Sequence, residues 1–145
     1  MKQRLYDFMN SHPHLVVSSI DKDGKPQSAV VGFGQTEELE LIVGTSNDSR
    51  KAENIKSNPN VSVVIGWGEE GTIQYEGTAR ILLGKEADKY SEIYFKKNPT
   101  ARRYKEDPHE TYILITPTWL RFTEVAHYPW TIHEYNYESG STPLA

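Results

Sequence analysis

The chain alternates short apolar segments, rich in β-branched and aromatic residues, with clusters of turn-forming residues. This alternation limits the possible folds more than any other feature, because such segments are typical of β-strands. Strands are predicted at 15–20, 27–33, 39–43, 61–65, 72–83 and one or two more within 111–125. Most are neighbours in the sequence, which favours a mainly β protein, a small antiparallel barrel with α-helical additions.

Short helices are predicted around this barrel. Helical composition is found at 2–11, 52–57 and 86–97, with a further short piece between Pro99 and Pro108. The first helix ends before Pro13, because the residue preceding a proline is disfavoured in the helical region. Gly77 interrupts the longest predicted strand and indicates a bulge or a bend there.

Length and charge restrict the class of protein. The 145 residues suit a single domain, 1–145, with 137–145 as a loosely ordered tail. A net charge of −4 argues against nucleic acids and membrane surfaces as partners. The absence of cysteine excludes disulfides and thiolate metal ligands. No apolar run approaches the roughly 20 residues that span a bilayer, and the N-terminal residues resemble no signal peptide, so the predicted location is the cytoplasm.

The composition is poor in apolar residues. With the ten glycines counted in place of the nine tyrosines, the apolar share is roughly 38%, below the usual 45–50%. Disorder is one explanation, although 11% aromatic residues and the strand pattern argue against it. The other explanation is a core completed by a partner subunit or a bound ligand, and composition leaves this open.

Two apparent motifs carry no function. Residues 66–71 match the spelling GxGxxG, but a strand follows them, whereas a dinucleotide site requires a helix whose N-terminus receives the pyrophosphate. A glycine-rich hairpin turn is the better interpretation. His12 and His14 have no further ligands close in sequence, so no metal site is predicted.

The segment 45–51 carries the strongest signal for binding. It joins the end of a strand to the start of a helix, and Arg50 and Lys51 fall on the first helical turn. Unpaired backbone donors and the helix dipole favour an anion at this position, and Arg50 can hold a phosphate through two parallel hydrogen bonds. The alternative is a solvated helix start in which Asp48 is the N-cap and balances both cations. The residue chemistry alone leaves the two interpretations equal.

An ordered series of motifs resembles the pyridoxamine 5'-phosphate oxidase-like family of FMN-binding split barrels. The matching elements run in order from the first strand: Asp23-Gly24-Lys25-Pro26, Gly44-Thr45, Ser49-Arg50-Lys51, Asn58-Pro59-Asn60-Val61-Ser62, Trp67, Glu76-Gly77, Tyr94 to Pro99 and Trp119 to Phe122. Each piece is weak alone, but their order and spacing are specific. The resemblance covers nearly the whole chain.

The resemblance implies a six-stranded antiparallel split β-barrel that forms a homodimer, with FMN in clefts between the subunits. By position, the implied cofactor-binding residues are Arg50 and Lys51 for the phosphate with Ser49 assisting, Thr45 beside the ribityl chain or ring, Val30, Val31 and Gly32 along the ring, and Thr72 at a flavin-contacting position. Trp67 and Trp130 are candidates to cover a flavin face from the partner chain, or else pack in a core or interface.

The sequence departs from the oxidase pattern at several positions. Ala29 and Gly34 stand where the oxidase has an arginine and a lysine, so Arg50, Lys51 and hydroxyl groups are the remaining groups for binding the phosphate. The C-terminal arginine-histidine-arginine substrate motif is missing, and His133 is its nearest equivalent. Pyridoxamine phosphate is therefore disfavoured as the substrate, and no catalytic residue is predicted.

The leading hypothesis is an FMN-binding oxidoreductase that acts on an unidentified small molecule. In this hypothesis the flavin carries out the redox chemistry. The protein positions the flavin, excludes water from one face of its ring and provides hydrogen bonds around it. The alternatives are a non-catalytic flavin or haem carrier or sensor, and a deazaflavin-dependent reductase. Fold alone cannot separate these activities.

Overall fold

The computed structural model describes residues 1–137. The predicted loosely ordered tail lies, after Tyr137, outside the described residues. The strands are β1 (His14–Ile20), β2 (Pro26–Gly32), β3 (Gly34–Gln35), β4 (Leu41–Ser46), β5 (Asn60–Ile65), β6 (Gly71–Leu82), β7 (Glu110–Glu124) and β8 (Thr131–Asn136). The helices are α1 (Lys2–Asn10), α2 (Arg50–Ser57), α3 (Gly84–Lys97) and a 3-10 helix, Pro99–Tyr104.

All of these strands form one antiparallel sheet in the order β2-β1-β5-β6-β7-β4-β3, and β8 pairs with β7. The sheet curls into a half-barrel, which confirms the predicted mainly β split barrel with helical additions. The described residues contain two more strands than the six expected. β3 has only two residues, and β8 is largely polar, so neither carries a clear strand pattern. The bulge predicted at Gly77 is confirmed, because the β6–β7 register shifts between Glu76 and Gly77.

The inner face of the curled sheet holds the main core. Alternate residues of β5 and β6 point inward and are buried, which gives the period of two expected of half-buried strands. Tyr75 is the largest fully buried side chain, and its hydroxyl bonds to the Leu39 carbonyl oxygen at 2.8 Å. Leu5, Phe8 and Met9 of α1 join the same core, so α1 packs on the inner side of the sheet.

A split runs between the two edges of the sheet. β2 and β3 lie at opposite ends of the strand order, yet only Phe33 separates them in the chain. The two edges therefore meet at Phe33. Further along, β2 and β4 run side by side without a hydrogen-bonded ladder between them, in the part of the chain that the structure describes. α2 follows β4 directly and packs against β1 and β6 at this end.

The outer face of the sheet is covered on one half only. α3 packs on β3, β4 and β7, where Tyr94 and Phe95 meet Tyr112 in a second apolar cluster. The outer side of β1, β2, β5 and β6 has no helix over it among residues 1–137. Val30 is 64% exposed and Val64 is 37% exposed on that face. Within the same residues, no helix is long and apolar enough to cross a membrane.

Lys97 ties α3 to α1 and β3. Its Nζ donates to the Met9 carbonyl oxygen at 3.0 Å and to Gln35 Oε1 at 2.7 Å, and it lies 3.4 Å from the Phe33 ring centroid. No carboxylate pairs with Lys97 among the described residues. Burial lowers the pKa of Lys97 from 10.5 to about 7.

This lowered pKa predicts a pH-dependent stability. Below pH 7 Lys97 is charged in both the folded and the unfolded chain, whereas between pH 7 and 10.5 only the unfolded chain retains the proton. The free energy of unfolding should therefore rise with pH across this window, by up to about 1.4 kcal/mol per pH unit from this residue. Urea denaturation of the wild type and of Lys97→Met, compared across the window, isolates the effect. A difference between the two proteins that does not change with pH would contradict it.

Candidate functional site

Ser49 begins α2 and organises the loop before it. Ser49 has extended backbone angles, and its Oγ accepts a hydrogen bond from the Ala52 N–H at 3.3 Å, as an N-cap does. Thr45 Oγ1 donates to the same oxygen at 3.2 Å, which ties the end of β4 to the start of the helix. Two of the predicted site residues, Thr45 and Ser49, are thus in direct contact.

Asp48 does not cap α2. Its Oδ1 accepts a hydrogen bond from Ser46 Oγ at 2.5 Å, and this bond is the main reason why the pKa of the exposed Asp48 carboxyl is lowered. The sequence left open whether Asp48 caps the helix and balances two cations. The structure shows Ser49 in the capping role and Asp48 bonded to the preceding loop.

Arg50 and Lys51 occupy the first turn of α2 without a charge partner. Among residues 1–137, neither side chain forms an ion pair with a carboxylate. Arg50 is exposed and Lys51 is half-buried, and burial lowers the pKa of the Lys51 ammonium. Cations at a helix N-terminus are unfavourable for the helix itself, because the dipole is positive there. Within residues 1–137 this pair of charges therefore lacks a counter-charge at a position that disfavours cations.

β2 lies beside this helix start as an edge strand. Within the described chain it pairs only with β1, so the main-chain groups of its other edge face the split. Val31 and Gly32 are half-buried, and Val31 points to the same side as its buried partner Leu15. Val30 points to the opposite, outer face. The three predicted ring-lining residues thus combine a free backbone edge with side chains on both faces of the strand.

Thr72 and Trp130 lie far from the cations within one chain. Thr45 pairs with Thr111 at one end of β7, whereas Thr72 pairs with Thr123 near the other end. Twelve residues separate these two positions, which is about 40 Å along the strand. Trp130 is 57% exposed in the loop between β7 and β8, at the same end as Thr72. The predicted residues therefore form two groups, at opposite ends of the sheet.

The sequence did not predict the side-chain hydrogen bonds that join α2 to β1 and β2. Asn54 is only 7% exposed, and its Nδ2 donates to Ser19 Oγ at 3.0 Å and to Gln27 Oε1 at 2.9 Å. These bonds join α2 to β1 and β2. The available signal was the position of Asn54 between the apolar residues of a short amphipathic helix, where an amide needs buried partners.

Asn98 is a second residue that the sequence reasoning did not single out. Its Nδ2 donates to the Phe33 carbonyl oxygen at 2.9 Å and to the Tyr94 carbonyl oxygen at 3.0 Å. Its Oδ1 would lie 3.2 Å from a side chain at Gly32. Asn98 therefore holds the end of α3 against the residue that joins the two edges of the sheet.

Gly34 and His133, two of the residues at which the sequence departs from the oxidase pattern, have structural explanations. A Cβ at Gly34 would lie 2.8 Å from Tyr94 Cα, so α3 occupies the space that a side chain would need. His133 lies on the inner side of the sheet, where its Nε2 is 3.0 Å from Glu124 Oε2 and its ring stacks on Phe122. Neither position is arranged to hold a ligand phosphate.

Replacement of Gly34 by alanine should destabilise the fold. The added methyl group meets backbone atoms of α3 that cannot rotate away, and overpacking of this kind costs about 1–3 kcal/mol. Urea denaturation measures the change in the free energy of unfolding. Gly68→Ala is the matched control, because a Cβ there meets no atom within 4 Å. Equal stability of the two variants would contradict the close packing of α3 on β3.

Sequence comparisons place the chain among known proteins. The family model for pyridoxamine 5'-phosphate oxidase matches residues 1–124. General stress protein 26 of Bacillus subtilis is 29% identical over 125 residues, which cover 83% of this chain and 86% of the relative. A pyridoxine/pyridoxamine 5'-phosphate oxidase of Rubrobacter xylanophilus is 30% identical over 86 residues. That match covers 59% of this chain and 38% of the oxidase, so the chain spans little more than a third of the oxidase's length.

Structural comparisons agree with the fold. General stress protein 26 from Bacillus anthracis has a TM-score of 0.70 at 28% identity, covering 83% of this chain and 92% of its own. A pyridoxamine 5'-phosphate oxidase-related, FMN-binding protein from Nostoc punctiforme has a TM-score of 0.66 at 13% identity, with coverages of 86% and 80%. A haem-binding protein from Mycobacterium smegmatis has a TM-score of 0.78 at 14% identity, with coverages of 96% and 59%.

The matched model covers α1 and β1 to β7, which include the cationic helix start and the split beside it. Arg50, Lys51 and the hydroxyl-rich loop before them therefore lie within the residues that the family model matches. The chain belongs to the pyridoxamine 5'-phosphate oxidase family.

Proposed function

We propose that this protein is a homodimeric oxidoreductase that binds FMN in the split between β2 and β4 and acts on a small molecule. The observation that carries the proposal is the pair of unpartnered cations, Arg50 and Lys51, on the first turn of α2. Their charges, together with the free N–H groups of the helix start, suit a terminal phosphate monoester. FMN carries such a group at the end of its ribityl chain.

The residues around α2 fit the phosphate end of FMN. Arg50 offers a planar fork of donors, and Lys51 adds a half-buried charge that is only weakly screened by solvent. The Ser49 hydroxyl accepts from Ala52 N and from Thr45, which shapes the helix start and leaves its own proton free to donate to a phosphate. Asp48 accepts a hydrogen bond from Ser46 and, among residues 1–137, forms no ion pair with either cation.

The edge of β2 fits the ring end of FMN. An isoalloxazine ring has alternating donors and acceptors along one edge, and an unpaired strand edge offers the complementary main-chain groups. When bound, FMN supplies the redox chemistry, since its ring accepts and releases electrons or a hydride. The main chain at Val30, Val31 and Gly32 orients the ring, and the apolar side chains beside it exclude water from one face.

A second copy of the chain completes the site in this proposal. Thr72 and Trp130 lie at the opposite end of β7 from Thr45, so one chain cannot bring them to the cofactor that Arg50 holds. A two-fold dimer places the second group of one copy beside the first group of the other, and forms two equivalent sites. The outer face of β1, β2, β5 and β6 is the surface for such contact, because Val30 and Val64 are exposed on it.

The comparisons support a flavin, and they also define the competing cofactor. The Nostoc punctiforme relative is an FMN-binding protein, whereas the Mycobacterium smegmatis relative binds haem, and both share the fold at low identity. Absorption spectra of the purified protein, alone and after addition of FMN or haem, separate the two. We expect a flavin band and a rise in melting temperature with FMN, because a ligand of the native state stabilises it. A Soret band without any FMN-induced change would overturn the proposal.

Reduction of the loaded protein separates an enzyme from a carrier. Addition of NADH or NADPH to the FMN-loaded protein under anaerobic conditions should bleach the flavin band if the protein is a reductase that uses these donors. Flavin bleaching by neither donor leaves the FMN-binding part of the proposal intact and favours the carrier.

Removal of both cations should weaken FMN binding selectively. In Arg50→Ala/Lys51→Ala we expect FMN affinity to fall by at least about two orders of magnitude, because two charge-assisted contacts are lost. Riboflavin, which lacks the phosphate, should bind the variant as it binds the wild type. Flavin fluorescence quenching measures both affinities. Lys85→Ala/Lys89→Ala removes the same amount of charge on α3 and should leave the affinities for FMN and riboflavin unchanged. Equal losses of FMN and riboflavin affinity in Arg50→Ala/Lys51→Ala would contradict the phosphate assignment.

A charge on the outer face should separate the subunits and so weaken the binding of the cofactor. Val64→Asp places a carboxylate in the middle of the proposed interface, where its desolvation opposes association. We expect a shift from dimer to monomer in sedimentation velocity and a parallel loss of FMN affinity. Leu83→Asp changes a side chain that is 76% exposed beside α3 and serves as the control. A variant at position 64 that remains dimeric would show that the interface lies elsewhere.

A further inference from the structure

α2 is held in place by a chain of hydrogen bonds that begins at the buried Asn54 and continues through half-buried side chains. Asn54 Nδ2 donates to Ser19 Oγ at 3.0 Å and to Gln27 Oε1 at 2.9 Å. Gln27 Nε2 in turn donates to Asp21 Oδ2 at 3.3 Å. Asp21 Oδ1 accepts from the backbone N–H groups of the β1–β2 turn, at residues 23 and 25, at 2.9 Å each. One continuous network therefore runs from α2 through β2 to that turn.

Asn54 shares a helix face with both cations. Residues three and four apart in an α-helix are neighbours on its surface, so Asn54 lies one turn below Lys51 and Arg50. Asn54 is 7% exposed and Ser19 is 2% exposed, so the hydrogen bond between them is shielded from water. A buried amide that satisfies its partners in one geometry fixes the rotation of a short helix more strictly than apolar packing does.

We propose that Asn54, through Gln27, is a positioning residue that sets the orientation of Arg50 and Lys51 toward the ligand phosphate. This inference rests on the proposed FMN site. α2 has only eight residues, and a helix of that length is marginal without tertiary contacts. Ala52 and Ile55 bury it against the sheet, and the network sets its angle about its own axis. Gln27 lies on β2, so the same bonds set the distance between the cations and the free strand edge.

A comparison of FMN with riboflavin tests this role. In Asn54→Leu the helix keeps a buried side chain of similar size but loses its link to β1 and β2. We expect FMN affinity to fall about tenfold more than riboflavin affinity, as one of two charge-assisted phosphate contacts loses its geometry. Gln27→Leu should have a similar effect on the ratio of the two affinities. The double variant should be little worse than either single variant, because both break the same link.

A matched control separates positioning from general destabilisation. Gln35→Leu also removes a buried amide with two side-chain hydrogen bonds, to Asn10 and Lys97, but at the other end of the sheet. This variant should lose stability in urea without changing the ratio of FMN to riboflavin affinity. An unchanged ratio in Asn54→Leu, or additive changes in the double variant, would overturn the positioning role.

The outcome is distinguishable from failure of the proposed function. If the wild type binds neither FMN nor riboflavin, or if Arg50→Ala/Lys51→Ala binds both as the wild type does, the FMN site itself is wrong. If the wild type shows the phosphate preference and Asn54→Leu retains it in full, only the positioning role is wrong. Flavin fluorescence quenching and urea denaturation supply every measurement needed.

Discussion

The structure depends on a curled sheet whose two edges meet at one residue and separate beyond it. Phe33 alone joins β2 to β3, so the two edges of the sheet are brought together at that point by the covalent chain. Among residues 1–137, β2 and β4 continue from there without a ladder of hydrogen bonds between them. An open edge inside a small domain exposes unpaired main-chain groups, which proteins cover or use. Here α2 covers the end of the opening, and the remaining edge of β2 is available to a planar ligand.

α2 begins with residues that are unfavourable at the start of a helix. Two cations on the first turn interact unfavourably with the helix dipole, and its eight residues are too few for independent stability. The helix forms because Ser49 caps it and because Ala52, Asn54 and Ile55 are buried against the sheet. Tertiary contacts thus supply the stability that the charges remove. Such local conflict between sequence and structure is expected where a residue serves binding rather than folding.

Much of this arrangement could be predicted from the sequence, for reasons that differ between elements. The β1–β2 hairpin, the bulge at Gly77 and the cationic helix start follow from turn residues, strand alternation and the order of residues along the chain. β8 could not be predicted, because its pairing depends on contacts such as Glu134 with Trp119 and Arg121, and its own sequence is mostly polar. The Asn54 network could not be predicted either, because Ser19 and Gln27 are 35 and 27 residues away from Asn54 in the sequence. A single sequence gives periodicity and caps, but not the partners of a buried amide.

The poor apolar composition can now be related to particular surfaces. The inner core and the cluster beneath α3 are both well buried, so the deficit does not arise from a loose interior. It is consistent instead with a sheet of which one half, β1, β2, β5 and β6, has polar and small apolar residues outside and, within the described part of the chain, no helix over it. An isolated chain would leave Val30 and Val64 in water on that half, and both the free edge of β2 and the distant position of Thr72 would lack a role. A second copy accounts for the exposed valines and the separated groups of residues together. In the proposed dimer the open split and the exposed face are one requirement, because each would be covered by a surface of the second copy.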